Sequence, residues 1–253
     1  MNRRRFIKGA AIVFCGCFAN PAVAWPTADE CGNNSEVKID ALKSNGCLLS
    51  SGVSSELLSK IRYSFFGPGQ NDNKIIEFFI STSVWISERT SVRPDVNFFD
   101  DSQSPNAFAT DASLTGGCNS DGTILFGTTL FKNEMNQFKL WQSSTTMILA
   151  HEYGHIVQFK KKLRLPTYKQ ELHADFMGGW LCGLMTNDRR TSGIDPQTAS
   201  KSIFNKGNYA FNDPGFHGTP EERMKFTLQG YESGLRGLAR DEAFVRGLNY
   251  LGY

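Results

Sequence analysis

The segment ILAHEYGHIVQ, residues 148–158, holds two of the four histidines of this 253-residue chain, four positions apart. On a helix, residues four apart lie on one face, so His151 and His155 can each turn a ring nitrogen towards one metal ion. Glu152 then stands beside that ion, where it can take a proton from a water molecule and pass it to a leaving amine. An amphipathic helix whose imidazoles bond to carbonyl groups is the alternative.

A catalytic metal site needs three protein ligands and one open position. The next predicted helix contains ELHAD, in which Glu171 and Asp175 are four residues apart and share a face. His173 lies about 200° round the helix from them and is predicted to point elsewhere. This favours Glu171 as the third ligand and places Asp175 to accept the second N–H of a ligating imidazole. An ordinary acidic helix surface is the alternative.

Hydrophobic periodicity predicts an α+β protein in which a small mixed sheet is followed by helices. Strands are predicted over VNFFDD (96–101), NAFATDA (106–112) and GTILFGTTLF (122–131). Helices are predicted over 54–61, 73–88, about 138–160, about 168–185, 195–204 and 219–239. The last of these has the clearest start, with Thr219 as N-cap, Pro220 in the first turn and Glu222 three residues after the cap.

The first 24 residues have a basic start, a short apolar stretch and a small-residue ending at Ala22-Val23-Ala24. This pattern predicts an export signal cleaved near Ala24, and hence a periplasmic or extracellular protein. Residues 2–8, NRRRFIK, resemble the twin-arginine signal; an ordinary secretory leader is the alternative. The apolar stretch is too short for a stable membrane span. Residues 25–52 read as a polar extension and residues 53–253 as a single domain.

The full chain has 27 Lys and Arg, and cleavage after Ala24 would remove four of them and no acidic residue. The remaining chain would have 23 Lys and Arg against 25 Asp and Glu, a net charge of −2. That balance offers no general attraction for nucleic acid. Four cysteines remain in an oxidising compartment, which favours disulfides, with Cys31–Cys47 as the most local pairing. The others are Cys118 and Cys182.

HExxH followed by ExxAD resembles the gluzincin metallopeptidases. The segments HEYGHIVQ, ELHADFMGG and HGTPEER are similar to those of the bacterial neutral zinc metallopeptidase family, with some similarity to Ste24-like peptidases. The resemblance covers about half of the chain, roughly residues 106–234, and implies a zincin-like fold with a mainly helical C-terminal half. It also implies that His151, His155 and Glu171 bind one zinc ion, that Glu152 is the catalytic base and that Asp175 supports a ligand.

The same resemblance implies that the strand near Ile124 forms the upper edge of a cleft, where an extended peptide would pair by strand addition. His217, in HGTPEER, would stabilise a developing oxyanion or act as a fourth metal ligand, and a plain loop histidine is the alternative. Arg223 would hold that loop or an acidic partner.

The expected function is that of an exported zinc-dependent endopeptidase, which hydrolyses peptide bonds through a metal-activated water with Glu152 as general base. Its expected partner is a peptide or protein substrate. A non-catalytic, zinc-stabilised peptide-binding module and a metal-free structural domain are the alternatives. The chain has no G-x-S-x-G elbow, P-loop or G-x-G-x-x-G motif, which argues against hydrolases of the serine type and against nucleotide-binding enzymes.

Overall fold

Short strands and one long helix precede a series of helices in the computed structural model, which describes residues 59–62, 73–114, 120–188, 193–213 and 216–253. The predicted α+β class is confirmed. The strands are β1 (Ile61–Arg62), β2 (Asp95–Phe99), β3 (Ala107–Thr110) and β4 (Thr123–Gly127). The helices are α1 (Asn73–Thr90), α2 (Thr128–Gln137), α3 (Trp141–Lys160), α4 (Thr167–Asn187), α5 (Pro196–Phe204), α6 (Pro220–Leu235) and α7 (Arg240–Tyr250).

The four strands form one mixed sheet in the order β1-β2-β4-β3. β2 runs parallel to β4, with Val96 opposite Ile124, while β3 and β1 are antiparallel to their neighbours. The prediction that an extended peptide would pair with the strand near Ile124 by strand addition is therefore wrong. β4 lies between β2 and β3 with both of its sides paired, and the edge strands among the described residues are β1 and β3.

The predicted strand over residues 122–131 is correct only for its first half, since β4 ends at Gly127 and α2 begins at Thr128. The buried carboxylate of Asp101 accepts hydrogen bonds from the backbone N–H groups of Thr129 and Leu130, at 2.6 and 3.0 Å. A distant side chain thus caps α2, a contact that local periodicity does not encode. Gly127 leaves the space, because a Cβ there would overlap Asp101.

The remaining element predictions mostly agree with the structure. α1, α3, α4, α5, β2 and β3 coincide with predicted elements to within a few residues, and the capping box of Thr219 and Glu222 is present. The helix predicted over 219–239 stops at Leu235, and a separate helix, α7, follows a turn at Gly237, where φ is 72°. The helix predicted over 54–61 lies mostly outside the described residues, and its last residue, Ile61, is in β1.

Helices α4 and α6 pack so closely that their backbones touch. A Cβ at Gly179 or Gly183 of α4 would lie 2.0–2.1 Å from a carbonyl oxygen of α6. A Cβ at Gly230 or Gly234 of α6 would lie 1.9–2.1 Å from a carbonyl oxygen of α4. Both helices therefore carry a glycine pair spaced by four residues, and only hydrogen fits at the crossing.

Helices α3 and α4 also cross closely, through a second set of small residues. A Cβ at Gly154 would lie 3.2 Å from the backbone of Ala174, and one at Gly178 would lie 3.0 Å from the amide nitrogen of His151. Tyr153 fixes α3 on its other side, because its buried hydroxyl contacts Ser83 of α1. These contacts place the histidine face of α3 directly against the acidic face of α4.

Cys182 is a free, buried thiol, so the disulfides that the sequence favours, whose pairing it leaves open, do not include Cys182. Its Sγ lies 3.8 Å from Met147 Sδ, and burial raises the pKa of the thiol to about 12. Cys31, Cys47, Cys118, the export signal and almost all of the polar extension lie outside the described residues. Among the described helices, none is long and apolar enough to cross a membrane.

Gly230→Ala is expected to lower the free energy of unfolding by about 3 kcal/mol, because the new methyl group would displace a helix backbone rather than a flexible side chain. Urea denaturation followed by circular dichroism measures this loss. Glu232→Ala, at an exposed position on the same helix, is the control and should cost no more than about 0.5 kcal/mol. Equal stability of the two variants would contradict the close crossing.

Candidate metal centre

Two histidines project from one face of α3 into the interior. His151 and His155 are 2% and 0% exposed, and their Nε2 atoms lie 3.0 Å apart. Their rings stand nearly perpendicular to one another, at an interplanar angle of 89°. Both rings thus direct the same nitrogen to one point, as the four-residue spacing predicts.

Glu171 of α4 faces the same point. Its Oε2 lies 3.3 Å from His151 Nε2, and its Oε1 lies 3.5 Å from His155 Nε2. The three side chains can each offer one ligand atom within 4.8 Å of the others. The structure thereby brings together the three residues that the sequence suggested as metal ligands.

Asp175 and Arg223 lie behind His151. Asp175 Oδ1 is 2.8 Å from His151 Nδ1, although the N–H direction is poorly aligned for a hydrogen bond. Arg223 of α6 donates to both oxygens of Asp175, from Nε at 2.8 Å and from Nη2 at 2.9 Å. Asp175 is therefore the acidic partner of Arg223, and the close crossing of α4 and α6 makes this buried two-point contact possible.

His155 is held by a different set of groups. Its Nδ1 lies 3.0 Å from Gln158 Oε1, and Gln158 Nε2 lies 3.1 Å from His173 Nδ1. His173 points away from Glu171, as its position on the helix predicts, and its Nε2 lies 3.0 Å from the carbonyl oxygen of Phe244 in α7. Burial lowers the pKa of His173 to about 4, so its ring is neutral near pH 7.

Gln158 was not among the residues singled out from the sequence. Its spacing of three from His155 places both residues on the same helix face, which is the signal that could have revealed it. The partner of Gln158, His173, was expected only to point elsewhere. What a single sequence could not show is that α7 folds back against this part of α4.

Glu152 is 1% exposed, and its Oε2 has no hydrogen-bond partner among the described residues. Burial raises the pKa of Glu152 to about 7, against the opposing effect of His151 and His155. A cavity of about 20 Å³ adjoins this side chain, room for about one water molecule. The cavity is lined by the start of β3 and by parts of α2, α3, α5 and α6. The lining residues are Asn106, Ala107, Leu130, Ile148, His151, Glu152, Ile203, Lys206 and Arg223.

His217 lies at the margin of the cluster rather than within it. Its Nδ1 is 3.7 Å from Glu171 Oε2, and its side chain is 16% exposed, more than any of the three ligand residues. Burial lowers the pKa of His217 below its ordinary value, so the neutral ring is favoured. His217 therefore separates Glu171 from solvent.

The chemistry of the cluster fits a cation. Both oxygens of Glu171 are buried and lack a hydrogen-bond partner among the described residues, a costly arrangement for a carboxylate that binds nothing. Burial opposes the ionisation of Glu171, but the two histidines outweigh it and hold its pKa well below the usual range. Glu152 and Asp175 are also buried, and one guanidinium, that of Arg223, lies among these carboxylates, with its Nη2 3.7 Å from Glu171 Oε2. A cation would balance the negative charge that Arg223 leaves uncompensated.

Comparisons with protein-family models, with curated proteins and with solved structures find no match to this chain. The resemblance to a metallopeptidase family thus remains an expectation that three short motifs carry. What the structure adds is that a buried His151–His155–Glu171 group could hold a metal ion.

Titration of metal-free protein with zinc, cobalt or nickel salts is expected to stabilise it by about 2.7 kcal/mol once the free metal reaches about 100-fold above its Kd. Thermal unfolding with and without metal measures the effect. Glu171→Gln should lose most of this stabilisation, because it removes the one ligand charge. Glu88→Gln, which changes an exposed glutamate of α1, should retain it. Metal stabilisation of equal size in Glu171→Gln would rule out this group as the site.

Proposed function

We propose that this chain is an exported, zinc-dependent peptidase with a zincin-like arrangement of the HExxH helix and sheet. The observation that carries the proposal is Glu152, a buried carboxylate whose Oε2 has no hydrogen-bond partner among the described residues, next to three potential metal ligands and a water-sized cavity. A protein that only binds peptides, or that uses the metal only for stability, gains nothing from such a group. Hydrolysis of a peptide bond by a metal-activated water uses such a group as its general base.

Zinc suits the donor set better than other common metals. Two imidazoles and one carboxylate leave a fourth position open, which is the pattern of catalytic rather than structural zinc sites. Metal–ligand bonds of about 2.0–2.1 Å with tetrahedral angles imply ligand atoms roughly 3.3 Å apart. The Nε2 atoms of His151 and His155 lie 3.0 Å apart, near that value, and Glu171 faces each of them with a different oxygen, at 3.3 and 3.5 Å. Bound zinc would supply a Lewis acid that polarises a carbonyl group and acidifies a water molecule.

Glu152 would move the protons of the reaction. Its Oε2 is free to accept a proton from a water molecule in the adjoining cavity, and the protonated side chain can then donate to the departing amine nitrogen. A pKa near 7 suits both steps, and a cation close by would favour the carboxylate form that the first step needs. Arg223 lines the same cavity and is held by Asp175, so it contributes fixed positive charge there.

An extended peptide would pair with β3, an edge strand, rather than with β4. Asn106 and Ala107 line the cavity beside Glu152, so this end of β3 is next to the proposed chemistry. The Gly127 N–H bonds to the Asn106 carbonyl, and the antiparallel pattern then directs the backbone carbonyl of Ala107 away from β4. Strand addition at this carbonyl would align a scissile bond with Glu152.

The described conformation is closed to a peptide, because the cavity has room for only about one water molecule, and Ile203 and Lys206 form part of its lining. A partly buried ion pair joins this side of the cavity to α2: Glu134 accepts from Lys206 Nζ at 2.8 Å and from Ser202 Oγ at 3.0 Å. Peptide entry thus requires α5 to move away from α2. We expect Glu134 to oppose that movement.

Glu152→Gln is expected to lower the rate of peptide cleavage by a factor of about 10² to 10⁴, since the amide cannot accept a proton. Zinc-loaded protein from residue 25 onward is incubated with a complex peptide pool, and new termini are read by mass spectrometry. Zinc content per chain is measured alongside and should stay at one. Glu232→Gln serves as the control. Cleavage that persists in Glu152→Gln would refute the assigned base.

Glu134→Gln is expected to raise the cleavage rate about tenfold, because loss of a charge-assisted hydrogen bond of roughly 1.5–3 kcal/mol shifts the population towards the open form. The residue does not line the cavity, so the chemistry itself should be unchanged. Lys201→Gln, which removes an exposed lysine of α5, is the matched control. An unchanged rate, with unchanged thermal stability, would mean that α5 does not limit access.

A further inference from the structure

A chain of hydrogen bonds runs from His155 to two backbone carbonyl groups, and those carbonyls fix every proton along it. Gln158 Nε2 lies 2.9 Å from the carbonyl oxygen of Gln170, and His173 Nε2 lies 3.0 Å from that of Phe244. A carbonyl oxygen only accepts. Gln158 Nε2 and His173 Nε2 must therefore both donate, whichever way the other hydrogen bonds of the series run.

The remaining assignments follow in order. A neutral His173 that donates from Nε2 carries a lone pair on Nδ1, which accepts from the second N–H of Gln158. The amide of Gln158 is then oriented with its oxygen towards His155. Because that oxygen only accepts, His155 Nδ1 must carry a proton and donate it. The lone pair of His155 is left on Nε2, the atom that faces Glu171 and His151.

We propose that Gln158 and His173 are positioning residues for the metal, which hold His155 in the tautomer and orientation that a ligand needs and tie it to α7. The inference rests on the proposed zinc site. Neither residue touches the metal position, and each acts through its neighbour. The two histidine ligands are thus supported differently, His151 by a carboxylate and His155 by an amide and a third imidazole.

The packing around His173 supports a fixed ring. His173 is fully buried, and the ring of Phe244 lies across it with centroids 4.6 Å apart. On the next turn of α7, a Cβ at Gly247 would come within 3.0 Å of His173 Cδ2 and 3.1 Å of its Nε2. The ring therefore fills the space that this glycine leaves, and α7 sets its position.

The test is zinc affinity, measured by competition with a chromophoric chelator at fixed pH. Gln158→Met, of similar size but without the amide, is expected to bind zinc about 10–100-fold more weakly than wild type. Gln158→Glu keeps an acceptor for His155 and should recover part of that loss. Thr146→Val, which changes another buried polar side chain of α3, is the control and should bind as wild type does.

A double variant separates positioning from general packing. If His173 acts through Gln158, then His173→Phe should weaken zinc binding in the wild-type background but add nothing to Gln158→Met. Two independent packing defects would instead add. Thermal midpoints of the metal-free variants show that each is folded before its affinity is compared.

Nitrogen NMR of protein labelled at histidine reads the tautomer directly, with or without metal. Metal-free wild type should show His155 protonated on Nδ1, and Gln158→Met should show a mixture of tautomers. Wild-type zinc affinity and an unchanged His155 signal in Gln158→Met would overturn the inference, even if the chain cleaves peptides. Zinc binding that depends on Gln158 in a chain without cleavage would leave the inference standing and refute the peptidase.

Discussion

Three carboxylates buried within one small region are the constraint on which the rest of the structure depends. Glu152, Glu171 and Asp175 are each no more than 1% exposed, and a protein interior tolerates such charge only when it is compensated. Arg223 supplies part of the compensation by a two-point contact with Asp175. The negative charge that Arg223 leaves uncompensated is what would favour a metal ion beside His151, His155 and Glu171.

The glycine crossings contribute to that compensation. Glycines of α4 and α6 let the two helices lie almost in backbone contact, and on these closely packed helices the guanidinium of Arg223 reaches Asp175 directly. Gly154 and Gly178 do the same between α3 and α4. Small residues on three helices thus determine how close the opposite charges come.

The sequence predicted those features that a regular helix determines by itself. Spacings of four residues placed His151 with His155 and Glu171 with Asp175 on shared faces, and the cap at Thr219 is a local pattern. The order of the sheet was not predictable in this way, because a strand's own pattern does not state which neighbour lies on each side. The cap of α2 by Asp101, and the contact of His173 with α7, join residues 28 and 71 positions apart. Such contacts have no local signature.

The residues that hold Asp175 and His173 in place lie later in the chain than the three proposed metal ligands. All three ligands are present once Glu171 has been made, but Asp175 must wait for Arg223, and His173 must wait for Phe244. During synthesis, a nascent chain can therefore gather metal-binding side chains well before it can hold them in order. The proposed hydrolytic centre would therefore stay inert until α6 and α7 have docked, which would protect the cell that makes the chain from an unfinished enzyme.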